Sequence, residues 1–211
     1  MTRPGARDAR YFRAKRDGYA ARSVYKLEDI DRRYGLLQGS RRVLDLGCHP
    51  GSWLQYCAQK VGPGGRVLGV DLKPPTAGLP SWVDYLEADV LELTAAEVAE
   101  AMGGAQGAKG GRCLDALLSD LAPRTTGVVH ADVAKSVELA ARALELAEAL
   151  LKPGGVLVAK VFQGAGVDQL IRRVKQAYKL GKAHKPAGST KSSREIYLVG
   201  RGFKGGADKK S

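Results

Sequence analysis

The run Val43-Leu44-Asp45-Leu46-Gly47-Cys48-His49-Pro50-Gly51-Ser52-Trp53 decides how the rest of the chain is read. Val43, Leu44 and Leu46 make the near-continuous apolar run of a parallel strand buried on both faces. It stops at Gly47, and a short loop with a second glycine, Gly51, opens onto a helix at Ser52. Such a strand delivers Asp45 and its loop to the carboxyl edge of a sheet, where open α/β sheets bind their ligands. Gly47 and Gly51 let the backbone approach a ligand closely, and the amides that open the helix can receive a carboxylate or a phosphate. Asp45 can take a cationic amine.

A second apolar run, Val67-Leu68-Gly69-Val70, ends in Asp71, where an acid can hold the two hydroxyls of a ribose. One loop and one acid fit a nucleoside that carries an amino acid. The loop lacks G-x-G-x-x-G spacing, Asp45 would repel a pyrophosphate, and no Walker lysine follows. S-adenosylmethionine therefore fits better than NAD or ATP.

Working outward, further strands are expected at 83–88, 114–119, 156–162 and Ile196–Val199, and helices at 23–34, 52–61 and 131–151. The first of these helices is capped by Ser23 and closed by Gly35, and Lys26 lies beside its apolar face. Each later strand presents a charge. Asp89 follows the third, Asp120 follows the fourth, and Glu195 opens the last. Lys160 sits inside the fifth among Val158, Ala159, Val161 and Phe162, where an ammonium is costly unless paired. Residues 102–111, with five glycines and two alanines, read as a surface loop without chemistry, and 182–194 as a basic loop.

A chain of 211 residues with 44% hydrophobic content suits one domain, placed at 21–200, between basic tails at 1–20 and 201–211. Cys48, Cys57 and Cys113 form no C-x-x-C pair and read as packing residues. The basic start carries no apolar signal core, and no run of about 18 apolar residues occurs. The expectation is a cytoplasmic protein away from membranes. His49, with only His130 and His184 elsewhere and no paired spacing, reads as a loop residue, so no metal is expected.

The formal charge of +12 is unevenly placed. Residues 1–42 carry 12 Lys/Arg against 5 acids and residues 172–211 carry 12 against 2, whereas the segment between carries 10 against 15. Both ends suit a polyanion. Tyr11, Phe12, Tyr19 and Tyr25 interleave the N-terminal charges as stacking platforms do, and Arg172 to Arg194 ride on or beside folded elements.

Five separated blocks carry a family resemblance: Ser23-Val24-Tyr25-Lys26-Leu27, Asp45-Leu46-Gly47, Ser119-Asp120-Leu121-Ala122-Pro123, Lys160-Val161-Phe162-Gln163-Gly164 and Ser193-Arg194-Glu195. From about Ala20 to Val199 the chain resembles the FtsJ/RrmJ family of RNA ribose 2′-O-methyltransferases. The resemblance implies an α/β fold of the Rossmann-like class I methyltransferase type, a seven-stranded, mostly parallel sheet with helices on both faces. It places a Lys-Asp-Lys-Glu tetrad on Lys26, Asp120, Lys160 and Glu195, and adenosylmethionine contacts on Gly51, Trp53, Asp71, Asp89 and Asp120. Asp45 and Gly47 join them from the loop itself. The chain departs from the family at Cys48-His49, Ser52 and Arg124.

The chemistry follows from residue type. A ribose hydroxyl is a poor nucleophile at neutral pH, so its proton must leave as the oxygen attacks the sulfonium methyl. Lys160 is the candidate base, Asp120 orients that amine and the methyl end of the cofactor, and Glu195 places Lys26 or the ribose. The residues alone leave open which lysine is neutral. An amino-directed base methyltransferase would want an aromatic where Arg124 follows Leu121-Ala122-Pro123, and a cytosine C5 enzyme a cysteine nucleophile there. The resemblance implies a uridine of large-subunit ribosomal RNA as substrate, and the expectation is a monomer that uses neither DNA nor membrane. The alternatives are a tRNA or mRNA-cap enzyme, or a non-catalytic RNA-binding assembly factor.

Overall fold

The computed structural model describes residues 6–103, 111–187 and 193–205. The quoted apolar run forms β1 (Arg42–Leu46), which pairs in parallel with β2 (Arg66–Asp71) on one side and β4 (Leu114–Ser119) on the other. β3 (Val83–Glu87) extends the sheet past β2, and β5 (Leu151–Phe162), β7 (Glu195–Phe203) and β6 (Tyr178–His184) extend it past β4. The order is β3-β2-β1-β4-β5-β7-β6, with β7 antiparallel to both its neighbours. This is the expected seven-stranded, mostly parallel sheet. Its chain path reverses between β1 and β4, which places the ligand-binding crevice of such sheets at their carboxyl ends.

Strand residues alternate between two faces. Leu44, Leu46, Leu68, Val70, Leu117 and Leu157 pack under α4 (Ala95–Ala101), α5 (Val129–Leu150) and α6 (Val167–Ala177). Val43, Val67, Ala116, Leu118 and Val158 pack under α1 (Ala6–Arg16), α2 (Val24–Tyr34) and α3 (Ser52–Val61). Gly69 lets α3 seat on β2, because a Cβ there would meet Cys48 Sγ and Leu54 at 2.8 Å. Cys48, Cys57 and Cys113 are all buried in packing. No helix among the described residues is long and apolar enough to cross a membrane.

Several local expectations change. The N-terminal segment read as a tail contains α1, whose Ala14 is buried. Its end is tied to α3, with Tyr19 Oη donating to Gln59 at 3.0 Å and the Ala20 amide to Gln55 at 2.9 Å. Ser23 does not cap α2: its φ of −60° is helical, and its hydroxyl pairs with that of Ser52 at 3.0 Å. Gly35 does close the helix, at φ +60°. The loop expected from Lys182 begins inside β6, an edge strand whose exposed Lys179 and Lys182 mask its pattern and blunt its edge. The last strand runs on to Phe203. The glycine-rich stretch lies outside the described residues at 104–110.

Candidate active site

The charged residues read from the sequence line up across the carboxyl edge in strand order. Asp89 follows β3, Asp71 ends β2, Asp45 lies in β1, Asp120 follows β4, Lys160 lies in β5, and Glu195 opens β7. Asp45 shares a face with Val43, and Lys160 and Glu195 lie on the strands' α2/α3 face, because Lys160 pairs in register with Tyr197, two residues from Glu195. Lys26 descends onto that face from α2.

The tetrad resolves into two ion pairs. Lys26 Nζ donates to Glu195 Oε2 at 2.7 Å, and Lys160 Nζ lies 3.0 Å from Asp120 Oδ1. Lys160 Nζ also donates a short hydrogen bond to the Asp120 carbonyl. Burial raises the Glu195 carboxyl, but the Lys26 hydrogen bond and the charges of Lys26 and Lys160 outweigh it and hold the group below its ordinary value.

One member of the site was missed. Tyr197 Oη donates to Asp120 Oδ1 at 2.7 Å from a fully buried ring, so the same oxygen serves both Tyr197 and Lys160. Burial first, then the Asp120 charge and this hydrogen bond, push the phenol well above its ordinary value and keep it a donor. The available signal was a hydroxyl-bearing aromatic two residues from Glu195, on its face of the strand.

At the cofactor edge, Asp45 is fully buried and neither of its carboxylate oxygens has a hydrogen-bond partner among the described residues. Burial, with the charges of Asp120 and Asp71, pushes its carboxyl well above the ordinary range. A buried carboxylate left unpaired is costly, so the site suits a group that brings positive charge. Asp71 accepts the His49 amide on one oxygen and the Lys73 amide on the other, both at 3.0 Å, and retains lone pairs for a diol. Gly47 (φ +77°) and Gly51 (φ +113°) keep the loop narrow: a Cβ on the first would meet Leu121 at 3.0 Å, and on the second Ala77 at the same distance. Two carboxylates and a tight loop fit the sulfonium, amino group and ribose of S-adenosylmethionine. Asp89 is exposed and accepts the Leu91 amide at 2.9 Å.

The Trp53 side chain is turned into the protein, away from the helix-opening amides expected to meet the cofactor. Its buried indole donates to the Ser23 carbonyl at 3.1 Å and lies 6.0 Å from the Tyr197 ring, so the side chain is used in packing beneath the tetrad. Only its backbone, at the start of α3, remains for a ligand. His49 is anchored through Nδ1 to the Pro74 carbonyl at 2.9 Å, ahead of a cis bond to Pro50. Arg173, read as part of a polyanion surface, makes a two-pronged ion pair with Glu148 at 2.7 and 2.8 Å. Its neighbours Arg172 and Lys175 remain exposed.

Comparison with known proteins places the chain in a family. Ribosomal RNA large subunit methyltransferase E of Desulfatibacillum aliphaticivorans is 44% identical over 195 residues, covering 92% of this chain and 90% of that protein. The protein of the same name from Sorangium cellulosum is 43% identical over 187 residues, covering 89% and 84%. A Plasmodium falciparum chain, whose crystal structure is described as that of a ribosomal RNA methyltransferase, superposes with a TM-score of 0.72 at 25% identity over 89% of this chain and 100% of that one. A sequence model of the FtsJ-like methyltransferases matches residues 19–203, and the chain belongs to that family.

Proposed function

We propose that the protein transfers the methyl group of S-adenosylmethionine to a ribose 2′-hydroxyl of large-subunit ribosomal RNA, a uridine in first place, with Lys160 accepting the hydroxyl proton. The observation that carries this reading is the pair of lysine–carboxylate contacts, Lys160–Asp120 and Lys26–Glu195, beside the unpartnered Asp45. The name of the relatives supports the ribosomal substrate, and the charge of +12 suits a polyanion.

Bound S-adenosylmethionine supplies an electrophilic methyl on a sulfonium centre. Asp71 would hold its ribose, Asp45 and the Gly47–Gly51 loop its amino-acid end, and Asp89 its base. A neutral Lys160 amine has two N–H groups, and the structure offers an acceptor for each in the Asp120 carbonyl and Oδ1. Its lone pair is then left for the ribose proton. Tyr197, by donating to the same Oδ1, fixes the Asp120 carboxylate that orients the Lys160 amine. Glu195 neutralises Lys26 and fixes it, so that its remaining N–H groups can hold the ribose oxygen. Placement of this kind is itself worth several kcal/mol of barrier, about 7 or more where orientation is good.

Transfer of tritiated methyl to bulk RNA, followed by mapping of 2′-O-methyl positions, tests the reading. Lys160→Met keeps the length of the side chain and suits the apolar strand. It should retain cofactor binding and lose about 10²- to 10⁴-fold in kcat. Lys26→Met should lose less. A Lys160→Met protein with near wild-type turnover would remove Lys160 as the base.

A further inference from the structure

Across the sheet from the tetrad, the ends of β5 and β6, the start of β7 and the first turns of α6 enclose a pocket of about 290 Å³. Val167, Ile171, Ala183 and Ile196 form apolar walls, and Gln163 and Asp168 bring polar groups that no other described residue engages. Ile196 follows Glu195 directly but belongs to the α4–α6 face of the core, and the Gln163 backbone N–H, not its side chain, donates to the Arg194 carbonyl at 2.8 Å. The mouth of the pocket therefore starts one residue past the ladder pair Phe162–Glu195, at the edge where a strand bound at Lys160 would pass.

The back wall is held in place. The His184 ring nitrogens face Tyr34 Oη at 3.2 Å and Asp29 Oδ2 at 3.4 Å, and Asp29 also accepts the Ala187 amide at 3.1 Å. Asp29 lies one turn beyond Lys26 on α2, so one rigid unit connects this wall to the tetrad. Cationic groups lie at the pocket and beyond it. Lys185 lines it, and exposed Arg172 and Lys175 follow Ile171 on α6 with no ion pair among the described residues.

We propose that this pocket takes one unstacked base of the substrate RNA, next to the methylated nucleotide; the proposal rests on reading the protein as an RNA ribose methyltransferase. Single-stranded RNA is recognised by splaying bases out of the stack and bonding their edges. The volume is at the small end for ligand sites, about 300–1,000 Å³, and so suits one base rather than a stacked pair. The apolar walls cover the faces of the base. Gln163 and Asp168 meet its edge, and the Asp168 carboxylate, which only accepts, selects base N–H groups and repels phosphate. The phosphates fall to Lys185 at the pocket and to the exposed Arg172 that follows Ile171 on α6.

The test uses synthetic substrate RNAs with a single abasic site at each position flanking the methylated nucleotide, and the full-length protein with Ala183→Trp filling the pocket. In wild type, one abasic position should lower kcat/KM about tenfold, the scale of one base contact. In Ala183→Trp, the intact RNA should already be about tenfold poorer, and the same abasic site should then cost nothing further, because both changes remove one interaction. Cofactor affinity and thermal midpoint should match wild type. Asp168→Asn, at an exposed position, guards against misfolding of the tryptophan variant and should raise KM for RNA with kcat unchanged. Abasic sensitivity that persists unchanged in Ala183→Trp, or Asp168→Asn kinetics identical to wild type, would overturn the pocket alone. Absence of methyl transfer by wild type to any RNA would overturn the functional reading, and the pocket with it.

Discussion

Replacing Asp45 by asparagine should stabilise the cofactor-free protein while crippling cofactor binding, and the stabilisation should grow with pH. Asp45 is fully buried with both oxygens unpartnered among the described residues, and burial together with Asp120 and Asp71 raises its carboxyl well above the ordinary value. In the unfolded chain the group titrates near about 3.9. A folded-state value above that means the native protein holds a proton that the unfolded chain has released. The associated stability is intact below about pH 3.9 and is lost as pH rises towards the folded value. Asparagine does not titrate. The stability gap between Asp45→Asn and wild type should therefore widen by up to about 1.4 kcal/mol per pH unit within that window. For a domain of this size each kcal/mol moves the melting midpoint by about 2–4 °C, so the midpoints should separate by roughly 3–6 °C per pH unit. Differential scanning calorimetry of both proteins from about pH 4 to 8, starting at the unfolded value, would measure this. With S-adenosylmethionine present the order should reverse, because its cationic groups favour the ionised carboxylate. Loss of one charged contact, about 1.5–3 kcal/mol, predicts roughly 10- to 150-fold weaker binding in the variant. Midpoints that run parallel across this pH range would refute the account of Asp45 as a proton-holding orphan, and unchanged cofactor affinity would remove it from the site.

Asp71→Ala should abolish measurable S-adenosylmethionine binding by calorimetry, since it deletes the diol acceptor and frees the His49 and Lys73 amides that shape the loop. Tyr197→Phe keeps the ring against Trp53 but removes the donor to Asp120; kcat should fall about tenfold or more with cofactor affinity unchanged, and an unaltered kcat would leave Tyr197 a packing residue only. Charge reversal at Arg172 and Lys175 should reduce the salt dependence of RNA binding, each contact contributing about 0.7 to the logarithmic slope on single strands. Reversal at Arg173 should instead lower the melting midpoint by stranding Glu148, with little effect on that slope.

Much of the candidate site was legible because its groups sit at strand ends, where an apolar run meets a single charge. Asp45, Asp71, Asp120 and Lys160 all stand out against valine and leucine, and alternation with period two assigns them a face. Other elements were hidden for identifiable reasons. α4 is one short helix whose signal is the capping box of Thr94 and Glu97, both of whose bonds form in the structure. In β6 the exposed lysines and Gly181 hide the alternation; Gly181 pairs with Gly200, and a Cβ on Gly200 would meet the Tyr178 ring at 2.7 Å. The packing of the Trp53 indole was not legible, because where an indole turns depends on which residues stand across from it.

What the sequence by itself determined is the set of buried parallel strands, the ligand loop and the chemical kinds of residue available at the sheet edge. These follow from local periodicity and from the cost of burying charge. What only the tertiary structure decided is which charges meet. Lys26 and Glu195 are 169 residues apart and pair because α2 packs across the strand that Glu195 opens. Asp120 Oδ1 is shared between Lys160 and Tyr197 because β7 inserts antiparallel between β5 and β6 and brings Tyr197 opposite Lys160. Asp45 is left without a partner among the described residues because its strand is central and its neighbours in register are Gly69 and Leu118, neither of which has a side-chain donor. Such pairings depend on strand order and register, which are set by the packing of the whole chain rather than by any local stretch of it.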